Sequence, residues 1–219
     1  MQKEAAAPQS SPAEIVREYG PFPNAGDVHG VTFDGENVWF AAGTHLQAFD
    51  PVSGQATARL DVPGRAGSAF DGRHLYQIVG GQIHKLELKS GKLVAKLPLP
   101  VPADDCSGLT WAEGKLWLGQ YRARKLHQID ASSGKLLRSL EAARFVTGVT
   151  WHDDELWYGT WEDDVCDLRR VNSDSGEVLE RLTLPEGMKV SGLESDRRDG
   201  FYCGGATSGK VRAVRRAKR

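Results

Sequence analysis

Apolar and polar residues alternate along most of this chain in short runs, and the same arrangement of runs occurs five times. The runs are bounded by Gly, Asp, Asn and Ser, the residues that favour turns. Alternation with a period of two predicts β-strands, whereas an amphipathic helix would need apolar residues spaced three and four apart. The pattern therefore predicts an all-β protein built from repeats.

The repeat is clearest in two segments that are nearly the same sequence. "SGLTWAEGKLWLG" begins at Ser107, and "TGVTWHDDELWYG" begins at Thr147. Aligning all five copies brings one glycine of each into register, about 40 residues apart: Gly30, Gly67, Gly108, Gly148 and Gly192. Each of the first four copies predicts four strands, with an "SG" turn before the fourth. Four strands in about 40 residues are typical of one blade of a β-propeller.

The sequence thus predicts a five-bladed β-propeller with four antiparallel strands per blade. The fifth copy ends after its third strand, "KVRAVRR", while residues 14–23, "EIVREYGPFP", repeat the fourth-strand pattern. We expect this N-terminal strand to complete the last blade and close the ring. Residues 1–12 are predicted to be a disordered leader and 13–219 a single domain, with blade boundaries at 24–63, 64–100, 101–142, 143–185 and 186–219 plus 14–23.

Composition and charge narrow the function classes. Hydrophobic residues make up 40% and charged residues 26% of 219 residues, as in water-soluble globular proteins. The net charge of −1 argues against a nucleic-acid partner, and no apolar run approaches the roughly 20 residues that cross a membrane. We expect a cytoplasmic monomer. Its three cysteines are expected to be reduced, because they lack a metal-binding or disulfide spacing. A secreted mature form is the alternative.

Candidate functional residues lie where the copies differ. The loops after the second strands vary in length and chemistry, which is typical of sites built on a rigid frame. Two of these loops carry Tyr121, Arg122, Trp161 and Glu162. The positions just before the aligned glycines should face the same opening of the channel, and they include His29, Arg65, Cys106, Ser107, Thr147 and Ser191. A small-molecule or peptide-end site at the channel mouth is the prediction.

The later copies, with the "IDASSGK" turn after the third strand, resemble the glutamine cyclotransferase family of five-bladed propellers and, second, streptogramin-lyase-like repeats. That resemblance implies a cyclising enzyme with Gln-Gly-Leu at the first strand and a carboxylate after the next. Here the matching positions are His29-Gly30-Val31 and Ala41-Ala42-Gly43, with no acid at the second.

Our hypothesis for catalysis uses another blade, with Glu162 as the base and Tyr121 or Arg122 as donors to the reacting oxygen. His29 is the third catalytic candidate. Substrate contacts are expected from Trp161, Arg122, Arg65, Cys106, Ser107, Thr147 and Ser191. No metal site is predicted and no cofactor is required, although a divalent cation in the channel stays open. The alternatives are a non-catalytic binding propeller and a thiol-dependent metal or metalloid protein.

Overall fold

A computed structural model of the chain describes residues 8–23 and 25–217. Twenty β-strands and one 3₁₀ turn occur within that part. The strands are β1 (Gln9–Tyr19), β2 (Val31–Phe33), β3 (Val38–Ala41), β4 (Leu46–Phe49), β5 (Ala56–Leu60), β6 (Ser68–Phe70), β7 (His74–Val79), β8 (Gln82–Glu87), β9 (Leu93–Pro98), β10 (Cys106–Ala112), β11 (Lys115–Gln120), β12 (Lys125–Asp130), β13 (Leu136–Glu141), β14 (Phe145–His152), β15 (Glu155–Glu162), β16 (Val165–Val171), β17 (Val178–Thr183), β18 (Gly192–Ser195), β19 (Gly200–Gly204) and β20 (Val211–Arg216). The 3₁₀ turn, η1, is Ala103–Asp105. None of the described residues forms a helix of the length and apolarity needed to cross a membrane.

Within each repeat, the strands pair in the order in which they occur along the chain. Three four-stranded antiparallel sheets have the orders β2-β3-β4-β5, β6-β7-β8-β9 and β10-β11-β12-β13. An eight-stranded sheet has the order β14-β15-β16-β17-β1-β20-β19-β18, so β1 lies between two chain-order sets. Each set matches one copy of the sequence repeat. The all-β prediction is confirmed.

Strand β1 joins the beginning of the chain to its end. Its second part, Ala13–Tyr19, pairs antiparallel with β20, so the predicted pairing with "KVRAVRR" is present. Its first part, residues 9–12, pairs parallel with residues 180–183 of β17. The prediction that the leader extends to residue 12 is therefore wrong at residues 9–12, because the open edge of β17 offers backbone partners that composition does not reveal. Residues 1–7 of that leader lie outside the described residues.

The five aligned glycines lie where neighbouring repeats approach most closely. A Cβ placed on Gly108 would lie 2.4 Å from the backbone N of Val149, and one on Gly148 would lie 2.6 Å from the backbone N of Leu193. The same close approach connects Gly192 to Gly30, Gly30 to Gly67 and Gly67 to Gly108. These contacts run from each repeat to the next and return from the last to the first. The innermost strands are the first strands of the five repeats: β2, β6, β10, β14 and β18. A side chain at any of the five glycine positions would push neighbouring innermost strands apart.

Aromatic side chains fill the space between neighbouring sheets. Tyr76 of one sheet stacks on Trp111 of the next, with ring centroids 5.6 Å apart. Within the eight-stranded sheet, Trp157 of the fourth repeat packs on Phe201 of the fifth repeat, with ring centroids 5.0 Å apart. Trp157 is 1% exposed, so its indole contributes most of its area to the core. The repeated aromatic positions thus form the core between neighbouring repeats.

One carboxyl group is buried among the innermost strands. Glu194 of β18 accepts hydrogen bonds from Thr32 Oγ1 at 3.0 Å, Thr150 Oγ1 at 2.9 Å and the backbone N–H of Ser195. The two threonines come from β2 and β14, so this side chain joins three repeats. Burial raises the pKa of Glu194 to about 7, and the three hydrogen bonds only partly oppose this rise.

Candidate functional site

A cavity of about 410 Å³ opens where several innermost strands begin. Its lining residues come from all five repeats, on the side where the second strands end. Of the ten residues predicted to form the site, eight line this cavity: His29, Arg65, Cys106, Ser107, Tyr121, Thr147, Trp161 and Ser191. The register of the repeat brings them together, because equivalent positions in the repeats lie at the same end of the ring.

Glu162 and Arg122 do not line the cavity. Glu162 Oε1 accepts a hydrogen bond from Arg124 Nη2 at 2.5 Å, and Oε2 accepts one from Arg144 Nε at 3.2 Å. Arg122 donates through its backbone N and its Nε to Asp105 Oδ1, at 2.7 and 3.3 Å. Both of our predicted groups thus lie outside the cavity lining and are held by charged partners.

The hydroxyl groups of the cavity wall point away from the opening. A Cβ placed on Gly119 would meet Ser107 Oγ at 2.9 Å, and one on Gly159 would meet Thr147 Oγ1 at 2.9 Å. Both hydroxyl oxygens are buried, with no hydrogen-bond partner among the described residues. Ser191 Oγ donates to the carbonyl of Val28 and accepts from a backbone N–H. These three residues shape the wall, and the expected ring of hydroxyls does not face the ligand space.

The sequence interpretation missed Asp104, Asp105 and Lys189, which also line the cavity. Asp104 and Asp105 belong to η1, immediately before Cys106, and Lys189 comes two residues before Ser191. Their place in the chain, just outside the positions that were selected, is the signal that could have identified them. The remaining lining residues are Val190 and Ala206.

Asp105 organises one side of the cavity. Its carboxylate accepts the backbone N–H groups of Arg122 and Ala123, and its carbonyl accepts the backbone N–H of Tyr121 at 2.7 Å. Tyr121 in turn stacks on Phe145, with ring centroids 4.9 Å apart. The guanidinium carbon of Arg124 lies over the same Phe145 ring, 4.6 Å from its centroid. The Tyr121 ring is therefore fixed before any ligand arrives.

Trp161 forms a second aromatic surface of the cavity. It is paired with Phe145 in the β14–β15 ladder and packs partly buried against the neighbouring core. The turn that follows it is held by Arg144, whose Nη2 donates to the carbonyls of Glu162 and Val165. Glu162 thus keeps the loop and its tryptophan in place.

His29 is the titratable group of the cavity best suited to accept a proton. Burial lowers the pKa of His29, Asp27 raises it, and the nearby Arg65 lowers it further. The net direction is downward, so the imidazole is neutral over a wider pH range than an exposed histidine. A neutral imidazole has one ring nitrogen free to accept a proton.

The thiol of Cys106 is not disposed to react. Burial, with the negative charges of Asp105 and Asp104, raises the pKa of Cys106 to about 12. Its Sγ donates a hydrogen bond to the carbonyl of Pro102 at 3.4 Å. Cys166 and Cys203 are buried in one core cluster, and burial raises the pKa of each. In the described part of the chain, no group of three or more His, Cys, Asp or Glu side chains could hold a metal ion.

A second cavity, of about 430 Å³, adjoins the first. The two share Arg65, Asp104 and Cys106. The rest of the second cavity is formed by small and apolar residues: Gly43, Pro63, Gly64, Ala66, Ile78, Val79, Gly80 and Ala103. The two cavities therefore lie side by side, with the shared residues between them.

Comparison with known proteins identifies the fold. No protein-family model and no curated protein matches the sequence. Among solved structures, a glutaminyl cyclase of Myxococcus xanthus matches with a TM-score of 0.78 and 16% identity, over 95% of this chain and 98% of the other. The Cps50 (Swd1) β-propeller domain of Myceliophteria thermophila matches with a TM-score of 0.59 and 10% identity, over 94% and 100%.

A hydrazine synthase of Kuenenia stuttgartiensis matches less extensively, with a TM-score of 0.51 and 17% identity over 78% of this chain and 52% of the other. Identities this low establish a shared architecture only. The chain therefore has a β-propeller fold, similar over nearly its whole length to that of a bacterial glutaminyl cyclase.

Proposed function

We propose that the five repeats form a five-bladed β-propeller that binds a small polar molecule or the end of a peptide at its channel mouth. The cyclic contacts of the five aligned glycines support five blades. The eight-stranded sheet agrees, because β1 joins two four-stranded sets that are each one blade. The observation that carries the functional proposal is that eight of the ten predicted site residues line one cavity, together with charged and aromatic side chains.

The cavity has the features of a ligand site. Its volume of about 410 Å³ falls in the range of small-molecule pockets, and it combines two aromatic surfaces with a few charged groups. Tyr121 and Trp161 are both held by networks that do not involve a ligand. A site fixed in advance loses little entropy on binding. One chain supplies every lining residue, so a monomer suffices for this proposal.

The test is a thermal-shift screen with amino acids, dipeptides, small organic acids and small amides. A ligand of the cavity should raise the Tm of the wild type, and Tyr121→Ala or Trp161→Ala should reduce that rise. Val94→Ala, at an exposed position of β9, is the matched control and should keep the full shift. Equal ligand-induced shifts in all four proteins would disprove the site.

Acid–base catalysis is the second candidate, and the lowered pKa of His29 favours it. A neutral imidazole could accept the amine proton when an N-terminal glutamine cyclises and releases ammonia. Glu162 is not part of this proposal, since it does not line the cavity and its carboxylate is paired with two arginines. Ammonia released from glutaminyl peptides measures the reaction, and His29→Gln should slow it by about 10²- to 10⁴-fold at an unchanged Tm. Absence of ammonia release by the wild type would refute the cyclotransferase and leave the binding proposal intact.

A further inference from the structure

Two cations line the cavity of about 410 Å³, the mouth cavity, and have no anionic partner in the described part of the chain. Arg65 and Lys189 line the cavity with exposed side chains, and neither forms an ion pair or a side-chain hydrogen bond with the described residues. By contrast, the arginines around Glu162 all bind carboxylates or carbonyls. Cations that line a cavity without a protein partner are available for an anion of the ligand.

The carboxylates of the same cavity are already compensated. Asp105 accepts two backbone N–H groups and the Nε of Arg122, which leaves little of its charge unbalanced. Asp104 Oδ2 lies 3.8 Å from Arg122 Nη2, so the charge of this carboxylate is partly balanced by that arginine. The positive groups are Arg65, Lys189 and Arg122, and the negative groups are Asp104 and Asp105. The net charge of these five side chains is therefore +1.

We infer that the mouth cavity binds a carboxylate end, that of a peptide or of a small organic acid, through Arg65 and Lys189. This inference rests on the proposed function and specifies its ligand. The planar guanidinium of an arginine pairs with both oxygens of a carboxylate, and a lysine adds a point charge. The group next to the carboxylate would lie against Tyr121 and Trp161. A free amine, which a glutamine-cyclising site would bind, has no uncompensated carboxylate here other than the solvated Asp104.

The second cavity gives room for the rest of such a ligand. Arg65 lies at the junction, since it lines both cavities. Beyond it, Gly43, Gly64 and Gly80 present backbone without side chains, and Ile78 and Val79 add apolar surface. A chain that leaves the carboxylate past Arg65 would enter this space. A peptide ligand would therefore place its last residue in the first cavity and the residue before it in the second.

The experiment compares probes with opposite ends, using calorimetric titration of the full chain. N-acetyl-alanyl-phenylalanine carries only the carboxylate, and alanyl-phenylalanine amide carries only the amine. The first should bind at least about tenfold more tightly. Arg65→Gln and Lys189→Gln should each weaken its binding by about tenfold or more. Lys89→Gln, an exposed lysine of another cavity, is the matched control and should leave the affinity unchanged.

Benzoate separates the two sources of the carboxylate. If it binds as tightly as the acetylated dipeptide, the ligand is a small organic acid; if the dipeptide binds at least about tenfold more tightly, the ligand is a peptide carboxyl end. Stronger binding of the amine probe, unchanged affinity in both glutamine variants, or no carboxylate binding up to about 10 mM would overturn the inference. If the amide binds equally well and still depends on Tyr121 and Trp161, the binding site stands and the carboxylate preference is wrong.

Discussion

Replacing Glu194 by glutamine should change how the stability of the protein depends on pH. This carboxyl group is buried among β2, β14 and β18, and burial raises its pKa from 4.5 to about 7. In the unfolded chain the group ionises near its ordinary value. Between pH 4.5 and 7 the unfolded state has therefore lost the proton that the folded state retains. The free energy of unfolding contributed by Glu194 must fall as the pH rises through this interval and stay constant above it.

The size of the effect follows from the shift of about 2.5 pH units. Each unit corresponds to about 1.4 kcal/mol, so the ionised carboxylate costs the folded state about 3 kcal/mol above pH 7. Glutamine occupies nearly the same volume and cannot ionise. The stability of Glu194→Gln relative to the wild type should therefore increase by about 3 kcal/mol between pH 4.5 and pH 8. Taking this difference removes the contributions of all other titrating groups, provided that they are common to both proteins.

Urea denaturation followed by tryptophan fluorescence measures these free energies at pH 4.5, 6, 7 and 8. Glu186→Gln is the matched control, because Glu186 is exposed and should remain solvated in both states. Its stability relative to the wild type should be the same at all four pH values. A flat profile for Glu194→Gln would refute the reasoning, since it would mean that Glu194 ionises in the folded protein as easily as in the unfolded chain.

Two further predictions concern the glycine ring and the cavity thiol. Gly108→Ala places a Cβ 2.4 Å from the Val149 backbone N, and we expect a loss of about 3 kcal/mol, seen as a Tm lower by about 6–12 °C. Gly81→Ala meets nothing within 4 Å and should change the Tm by less than about 2 °C, so equal Tm values would contradict the close packing. Because the pKa of Cys106 is raised from 9.0 to about 12, its thiolate is about a thousandfold scarcer at pH 8, and a disulfide reagent should label it far more slowly than free cysteine. Mass spectrometry identifies the labelled residue, and labelling as fast as that of free cysteine would show that the thiol is not perturbed.

The strands were predictable because their signals are local. Alternation of apolar residues and the turn residues between runs require no distant contact, and the repeat provides five versions of the same signal. Most of the cavity was also predictable. Once equivalent positions share one end of each sheet, residues such as His29 and Thr147 must approach each other although they lie far apart along the chain.

Side-chain directions were not predictable to the same degree. The pairing of β10 with β11 shifts register between Cys106 and Gly108, and that of β14 with β15 shifts between Val146 and Gly148. A bulge of this kind redirects the extra residue, here a Ser or Thr. The sequence contains no clear mark of a bulge, so these hydroxyls were expected to face the opening.

Partners that are distant in sequence explain the other differences. Glu162 was predicted as the base because it lies in a loop that differs between repeats, but Arg124 of the preceding repeat and Arg144, just before β14, both pair with it. The parallel pairing of residues 9–12 likewise depends on an edge of β17 that exists only after the ring has formed.

The sequence by itself determined the strands, their grouping into five copies, and the end of the ring at which divergent residues collect, because these depend on local periodicity. Only the tertiary structure decided which charges remain available. Whether a charged side chain is free depends on the groups that surround it in space: Glu162 is paired with two arginines, whereas Arg65 and Lys189 have no ion-pair partner among the described residues.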